Sequence, residues 1–258
     1  MIKNPTFRIF TSIEALCSGF AGLLAEDSTK KAKQDFYSIA LSGGSTPRNV
    51  FKHLAVTSDT KIDWNRIHFF WGDERCVPPG SDESNFRMAN ETLLKHIPVP
   101  ARNIHRIEGD KDPVAEAQRY DELVRNMLPH KDGIPQFDLF MLGLGEDGHI
   151  ASIFPDNTRL MNSVKLYAKS QHPESGQLRI TATGKLIRNS RQVVFLVTGK
   201  QKAEIISRIL GKKEGAEKLP ASRIYPVKGK LTWMVDIPAI QMLDPGFDEK
   251  WKKPLVRK

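Results

Sequence analysis

From Phe137 to Leu144 the chain is almost continuously apolar, and it then enters Gly145-Glu146-Asp147-Gly148-His149, a glycine-rich turn that ends in a carboxylate and an imidazole. An unalternating apolar run of strand length describes a strand covered on both faces, as in the parallel sheets of α/β proteins. That constrains the fold to a helix-covered sheet whose chemistry gathers where strands end. Gly143, Gly145 and Gly148 allow a sharp turn and a close approach of backbone amides to a ligand. An imidazole takes up and returns protons near neutral pH, and Asp147 stands close enough in sequence to fix the tautomer of His149. The competing reading is a tight turn in which Asp147 caps the next helix and His149 is a hydrogen-bonded structural side chain.

Strand and helix signals alternate along the rest of the chain. Strands are predicted over 7–10, 36–41, 67–71, 137–144, 164–168, 178–183 and 193–197, with a last one over 231–235 closing the sheet. Helices are predicted over 12–25, where Ile13, Leu16, Phe20 and Leu23 share a face, and from Thr46-Pro47 onward. Further helices are predicted over 84–96, over 112–128 behind an Asp-Pro start, and over 200–210. This alternation predicts an α/β fold with a mostly parallel, doubly wound, modified Rossmann-like sheet and helices on both faces. In 258 residues without repeats or low-complexity linkers, one domain over 1–258 is expected, with its core over about 7–240. The 211–219 stretch is expected to be an exposed loop and the segment after Pro245 a polar tail.

The longest apolar runs are of strand length, so no membrane span is expected. Met1 to Pro5 lead straight into a strand without a secretory pattern, and Cys17 and Cys76 form no metal or redox motif. A cytoplasmic, reducing location is the resulting expectation. An excess of 39 Lys and Arg over 30 Asp and Glu gives a net charge of +9, which favours an anionic partner. The basic residues are nevertheless scattered, in small clusters at Lys30-Lys31, Lys212-Lys213 and over 250–258, without the aromatic interleaving of a nucleic-acid surface. Most are expected on a solvated face. His53, His68, His96, His105, His130 and His172 are dispersed and lack the paired spacing of a metal site.

Two more polar clusters end predicted strands. Leu41-Ser42-Gly43-Gly44-Ser45-Thr46-Pro47-Arg48 leads from a strand into a helix, and its glycines, hydroxyls and helix-start amides make a phosphate cradle. It matches neither the lysine-bearing phosphate loop of nucleotide hydrolases nor the three-glycine dinucleotide fingerprint, and Ser45 or Thr46 acting as an ordinary N-cap is the alternative. Phe69-Phe70-Trp71-Gly72-Asp73-Glu74-Arg75, followed by Ser84-Asn85, ends a third strand in the same manner. Ligands of open α/β sheets bind beyond the carboxyl ends of the strands, so the three clusters are expected to meet in one cleft. A surface ion pair among Asp73, Glu74 and Arg75 is the bland alternative, as is a core role for Trp71.

Taken in order, LSGGSTP at 41–47, WGDER at 71–75 with SN at 84–85, and LGLGEDGHIASIFP at 142–155 resemble the 6-phosphogluconolactonase family, part of a superfamily that includes glucosamine-6-phosphate deaminases. RITATGKLI at 179–187, FLVTGKQKA at 195–203 and LPASRI at 219–224 extend the resemblance over most of 7–240. Deaminases of this type carry Met-Asp-Glu-Tyr in place of Trp71-Gly72-Asp73-Glu74-Arg75, and a further catalytic Glu two residues beyond the position of Ser152, where this chain has Phe154. Two features depart from the lactonase pattern: Ile150 stands where Thr is usual, and Ser175-Gly176-Gln177-Leu178 replace a Pro-rich approach to Arg179.

The resemblance implies a carboxylic ester hydrolase that opens 6-phospho-D-glucono-1,5-lactone to 6-phospho-D-gluconate in the oxidative pentose phosphate pathway, without metal or redox cofactor. It implies a small phosphosugar lactone as the partner, no nucleic acid or membrane, and a monomer or small homo-oligomer. His149 is then expected as general base on a water, Asp147 as its orienting carboxylate, and Arg75 or the turn amides as oxyanion donors. Asp73 is expected to order Arg75 or a sugar hydroxyl. The phosphate is expected on Gly43, Gly44, Ser45 and Thr46, with charge from Arg179 and from Arg48 or Lys200. An amino-sugar-phosphate deaminase/isomerase and a non-catalytic sugar-phosphate sensor are the alternatives.

Overall fold

The computed structural model describes residues 5–31, 35–57 and 61–243; the basic tail over 250–258 and the segment after Pro245 lie outside them. The chain begins β1 (Thr6–Phe10), α1 (Ile13–Thr29), β2 (Tyr37–Leu41), α2 (Ser45–Val56), β3 (Ile67–Trp71), β4 (Asp73–Arg75), α3 (Asn85–Thr92) and α4 (Pro113–Met127). It continues β5 (His130–Lys131), β6 (Ile134–Pro135), β7 (Leu139–Leu142), β8 (Tyr167–Gln171) and β9 (Leu178–Ala182). The remaining elements are α5 (Gly184–Asn189), β10 (Gln192–Val197), α6 (Ala203–Leu210), β11 (Lys230–Asp236) and α7 (Ile237–Ile240). Several helices start where side chains cap them: Ser12 accepts from the Ala15 amide at 3.3 Å, and Asp112 accepts from those of Val114 and Ala115 at 3.0 and 2.9 Å.

Six strands form an entirely parallel sheet in the order β1-β11-β10-β7-β2-β3, flanked by helices. Every residue of β2, β7 and β10 is buried, which explains why these central strands read as continuous apolar runs. The expected α/β parallel fold is therefore what the chain adopts. β11 does not close an edge as expected but inserts between β1 and β10. Between β2 and β7 the direction of winding reverses, and the carboxyl ends of those two strands border the crevice where open sheets bind ligands.

The strands expected over 164–168 and 178–183 do not join this sheet. They form β8 and β9, which run antiparallel beside β4 in a second sheet of order β4-β9-β8. The connection over 172–177 is too short for a parallel crossover, and β8 alternates buried and exposed residues toward its end, the pattern of a sheet with one solvated face. One contiguous apolar core underlies both sheets, with Phe70, Phe140, Tyr167, Ile180 and Phe195 fully buried in it. Trp71 belongs to this core at 1% exposure, its amide donating to the Tyr120 hydroxyl and its carbonyl accepting from that of Tyr167.

One basic residue expected on a solvated face and two of the dispersed histidines are partnered. Lys31 reaches the buried Asp138 carboxylate at 2.7 Å, so this charge is not part of a solvated face. His68 and His105, far apart in sequence, bring Nδ1 and Nε2 to 3.1 Å at the β3 edge. No helix among the described residues is long and apolar enough to cross a membrane.

Candidate active site

At the end of β2 the chain turns through Gly44, which has φ +103° and serves as N-cap of α2 without any side-chain cap. The alternative, in which Ser45 or Thr46 caps this helix end, is not what the chain adopts. Both lie inside the first turn, and the opening amides of a twelve-residue helix face the crevice without a capping side chain. The Thr46 hydroxyl instead shares a 2.7 Å hydrogen bond with that of Thr198, which follows β10. Gly43 has no room for a side chain, because a Cβ there would strike the Asn85 carboxamide. Asn85 in turn donates to the Asp73 carbonyl at 2.9 Å, tying the β2 turn to β4.

Glu74 is the clasp behind this contact. Its carboxylate, 2% exposed, accepts from the amides of Arg75, Asn85 and Phe86 and from the Ser84 hydroxyl, all within 3.0 Å. Burial raises its pKa above the ordinary carboxylate range although all four hydrogen bonds pull it down. Glu74 thus fastens the start of α3 to β4, while its neighbours in sequence, Asp73 and Arg75, face the cleft.

Beyond β7, Gly145 donates its amide to the His149 carbonyl at 2.9 Å and Gly148 closes the turn with φ +85°. Asp147 Oδ1 accepts from the His149 amide at 3.0 Å and lies 2.6 Å from Nδ1 of the ring. A Cβ on Gly145 would overlap both side chains, so glycine is needed there for the pair to form. Burial raises the Asp147 pKa, but the hydrogen bond and charge of His149 outweigh it and hold the carboxyl below its ordinary value. With Nδ1 engaged, Nε2 is the nitrogen left to meet a water; the ring packs against Phe154 with centroids 4.9 Å apart. Ile150, the residue out of keeping with the lactonase pattern, is fully buried.

On the opposite wall Arg75 and Arg179 are directly paired across β4 and β9. Like charges at such positions repel, and the Nε of each guanidinium is buried without a partner. Arg75 donates through Nη1 to the Glu83 carbonyl. Desolvation and then the Arg75 charge lower the proton affinity of Arg179, partly offset by Asp73, Glu83 and Glu74. Asp73 is 5% exposed and accepts from the Ser152 hydroxyl at 2.7 Å.

Of the residues expected from sequence, Gly43, Gly44, Ser45, Thr46, Asp73, Arg75, His149 and Arg179 line one cleft, and Asp147 reaches it through His149. Arg48 and Lys200 do not line it; both are exposed. Arg48 lies beyond the opening turn of α2, where the helix has rotated it outward. Lys200 opens a 3₁₀ turn, Lys200–Lys202, whose phase brings Lys202 to the cleft instead, 3.5 Å from Glu146. Choosing between two lysines that straddle one glutamine required the phase of that turn, which periodicity does not give. Among the described residues no group of three or more His, Cys, Asp or Glu is arranged to hold a metal ion.

A crevice at the winding reversal of a parallel sheet, walled by a helix start, a His-Asp turn and paired arginines, has the chemistry to take a small anionic ligand beside a proton acceptor. The model of the glucosamine-6-phosphate isomerases/6-phosphogluconolactonase family matches residues 11–233, and the chain belongs to that family. Within it, the chain is 42% identical over 208 residues to the 6-phosphogluconolactonase of Haemophilus influenzae, covering 80% of this chain and 87% of that one. It is 39% identical over 229 residues to the enzyme of the same name from Aggregatibacter actinomycetemcomitans, covering 85% and 97%. The crystal structure of 6-phosphogluconolactonase from Thermotoga maritima superposes with a TM-score of 0.77 at 31% identity, covering 90% of this chain and all of the other.

Proposed function

We propose that this protein hydrolyses 6-phospho-D-glucono-1,5-lactone to 6-phospho-D-gluconate, the lactone-opening step of the oxidative pentose phosphate pathway. The observation that carries the reading is the meeting, in one cleft, of the His149–Asp147 pair with two half-satisfied arginines and the uncapped start of α2. The 6-phosphate lies on the amides and hydroxyls from Gly43 to Thr46, with Lys202 and Arg179 supplying charge. Nε2 of His149 takes a proton from water as its oxygen attacks the ring carbonyl carbon, and Asp147 stabilises the imidazolium that forms. Arg75 and amides of the glycine turn receive the negative charge on the carbonyl oxygen. As the bond from that carbon to the ring oxygen breaks, the imidazolium returns its proton to the departing oxygen, and the new carboxylic acid ionises into solvent.

The deaminase alternative needs a further carboxylate beside the imidazole, and that place is filled by Phe154, 1% exposed and packed on His149. The sensor alternative leaves the orienting of the His149 ring by Asp147 without purpose, since binding alone needs no base. Incubation with freshly generated 6-phosphogluconolactone and, separately, with glucosamine 6-phosphate tests the reading. Acid release from the lactone above its spontaneous rate is expected, and His149→Ala should lower kcat by about 10²- to 10⁴-fold with substrate binding largely kept. Ammonia from the amino sugar would overturn the proposal, and wild-type kcat in the variant would remove His149 from the mechanism.

A further inference from the structure

Ser152 stands three residues after His149, and all three strands of the small antiparallel sheet converge on it. Its hydroxyl donates to Asp73 Oδ2 on β4 at 2.7 Å, and its amide donates to the Thr181 hydroxyl on β9 at 3.1 Å. Its carbonyl accepts from the Ser170 hydroxyl on β8 at 2.6 Å. Ser152 and Thr181 are fully buried, and Ser170 and Asp73 are 3% and 5% exposed, so water does not compete for these bonds. The residue before it, Ala151, has φ +47°, a left-handed backbone that side chains disfavour and that persists only where the surroundings over-determine it. Here the three bonds to Ser152 and a pair of main-chain bonds between Ile150 and Ile153 supply that constraint.

The two walls of the cleft arise from different sheets: His149 follows the parallel sheet, whereas Asp73, Arg75 and Arg179 belong to the antiparallel one. Their relative placement has to be held by contacts between the two, and Ser152 makes three of them with a single residue. We propose that Ser152 is a positioning residue, whose hydroxyl aims the Asp73 carboxylate into the cleft in register with His149. Asp73 makes no ion pair in this structure's described residues and takes its one side-chain donor from Ser152, so its remaining lone pairs face the place where sugar hydroxyls would donate. The functional part of this inference rests on the lactonase reading above.

Ser152→Ala removes the hydroxyl and leaves both main-chain bonds in place. Per folded molecule, kcat for the phosphorylated lactone is expected to fall about 10- to 100-fold, the loss of one charge-assisted hydrogen bond, while KM moves less than about threefold. Ser152→Thr, which keeps the hydroxyl, should recover most of the rate. In an Asp73→Asn background Ser152→Ala should cost nothing more, because it acts through the carboxylate. A kcat unchanged in Ser152→Ala, or the same factor lost again in the Asp73→Asn background, overturns the proposal; should Ser152→Ala fail to fold, Ser152→Cys, whose thiol is the weaker donor, takes its place in both comparisons. Should the wild type not hydrolyse the lactone, the functional reading fails by itself. The carboxyl ¹³C resonance of Asp73 then remains a test without turnover: Ser152→Ala should shift it and leave that of Asp147 in place, and an unmoved Asp73 signal sinks the coupling.

Discussion

Arg75 and Arg179 pose the sharpest energetic problem at the residue scale, since two guanidiniums oppose each other across neighbouring strands and each keeps a buried, unpaired Nε. On the reading proposed above, the phosphate at Arg179 offsets the repulsion and satisfies its free donor, while Arg75 keeps its own for the charge on the carbonyl oxygen; oxyanions of this kind are where an arginine fork binds most strongly. Arg179→Ala is expected to raise KM for the phosphorylated lactone about 10- to 100-fold and to leave KM for unphosphorylated gluconolactone nearly unchanged. Steady-state kinetics on the two substrates checks this, and an equal effect on both would exclude a phosphate role. Most of the cleft's side chains were legible because each follows a strand by only a few residues, as His149 follows β7 and Arg75 follows β3. Lys202 and Ser152 were not: one depends on the phase of a 3₁₀ turn, the other on contacts with strands whose pairing no local pattern announces.

At the scale of elements, β3 is the outer strand of the parallel sheet, and its exposed flank is covered by the segment carrying His105. The two imidazoles there stack between Phe36 and Phe70, with Arg102 the nearby cation and the Tyr120 hydroxyl holding the His105 carbonyl. Burial, and then the charge of His68, push the His105 imidazole down to about 4 from 6.5, and burial and Arg102 lower that of His68. Below pH 6.5 the unfolded chain therefore binds protons that the folded chain refuses, so stability falls as the pH drops from there toward 4. Thermal melts at pH 7 and 5 should show a marked loss of Tm in the wild type and a smaller one in His105→Phe; an equal loss in both would assign the acid sensitivity elsewhere. The buried central strands are readable from their apolar runs, whereas the sheet that β8 and β9 join is not, because a strand's apolar content does not say which sheet it enters. The short link over 172–177 carried that information, since it forbids a parallel crossover.

Across the whole molecule, the chain carries a net charge of +9 and its proposed substrate is an anion. Long-range attraction then contributes to capture, and kcat/KM for the phosphorylated lactone should drop several-fold as salt rises from about 0.01 M to about 1 M, where the screening length shrinks from about 30 Å to about 3 Å. Stopped-flow or initial-rate measurements over that range, with neutral gluconolactone as the insensitive control, decide it; parallel declines would trace the effect to the fold rather than to steering. The same whole-molecule view bears on the position of β11 between β1 and β10. Among the described residues β1 pairs with β11 alone, Thr6 lying beside Thr232 and Phe10 beside Asp236, so β1 has no berth until this strand, far along the chain, has been made. Until then β10, buried along its whole length in the finished protein, is an uncovered apolar edge. The nascent chain is therefore vulnerable to sticking to its neighbours between the making of β10 and that of β11, and what ends that exposure is the arrival of Lys230 to Asp236.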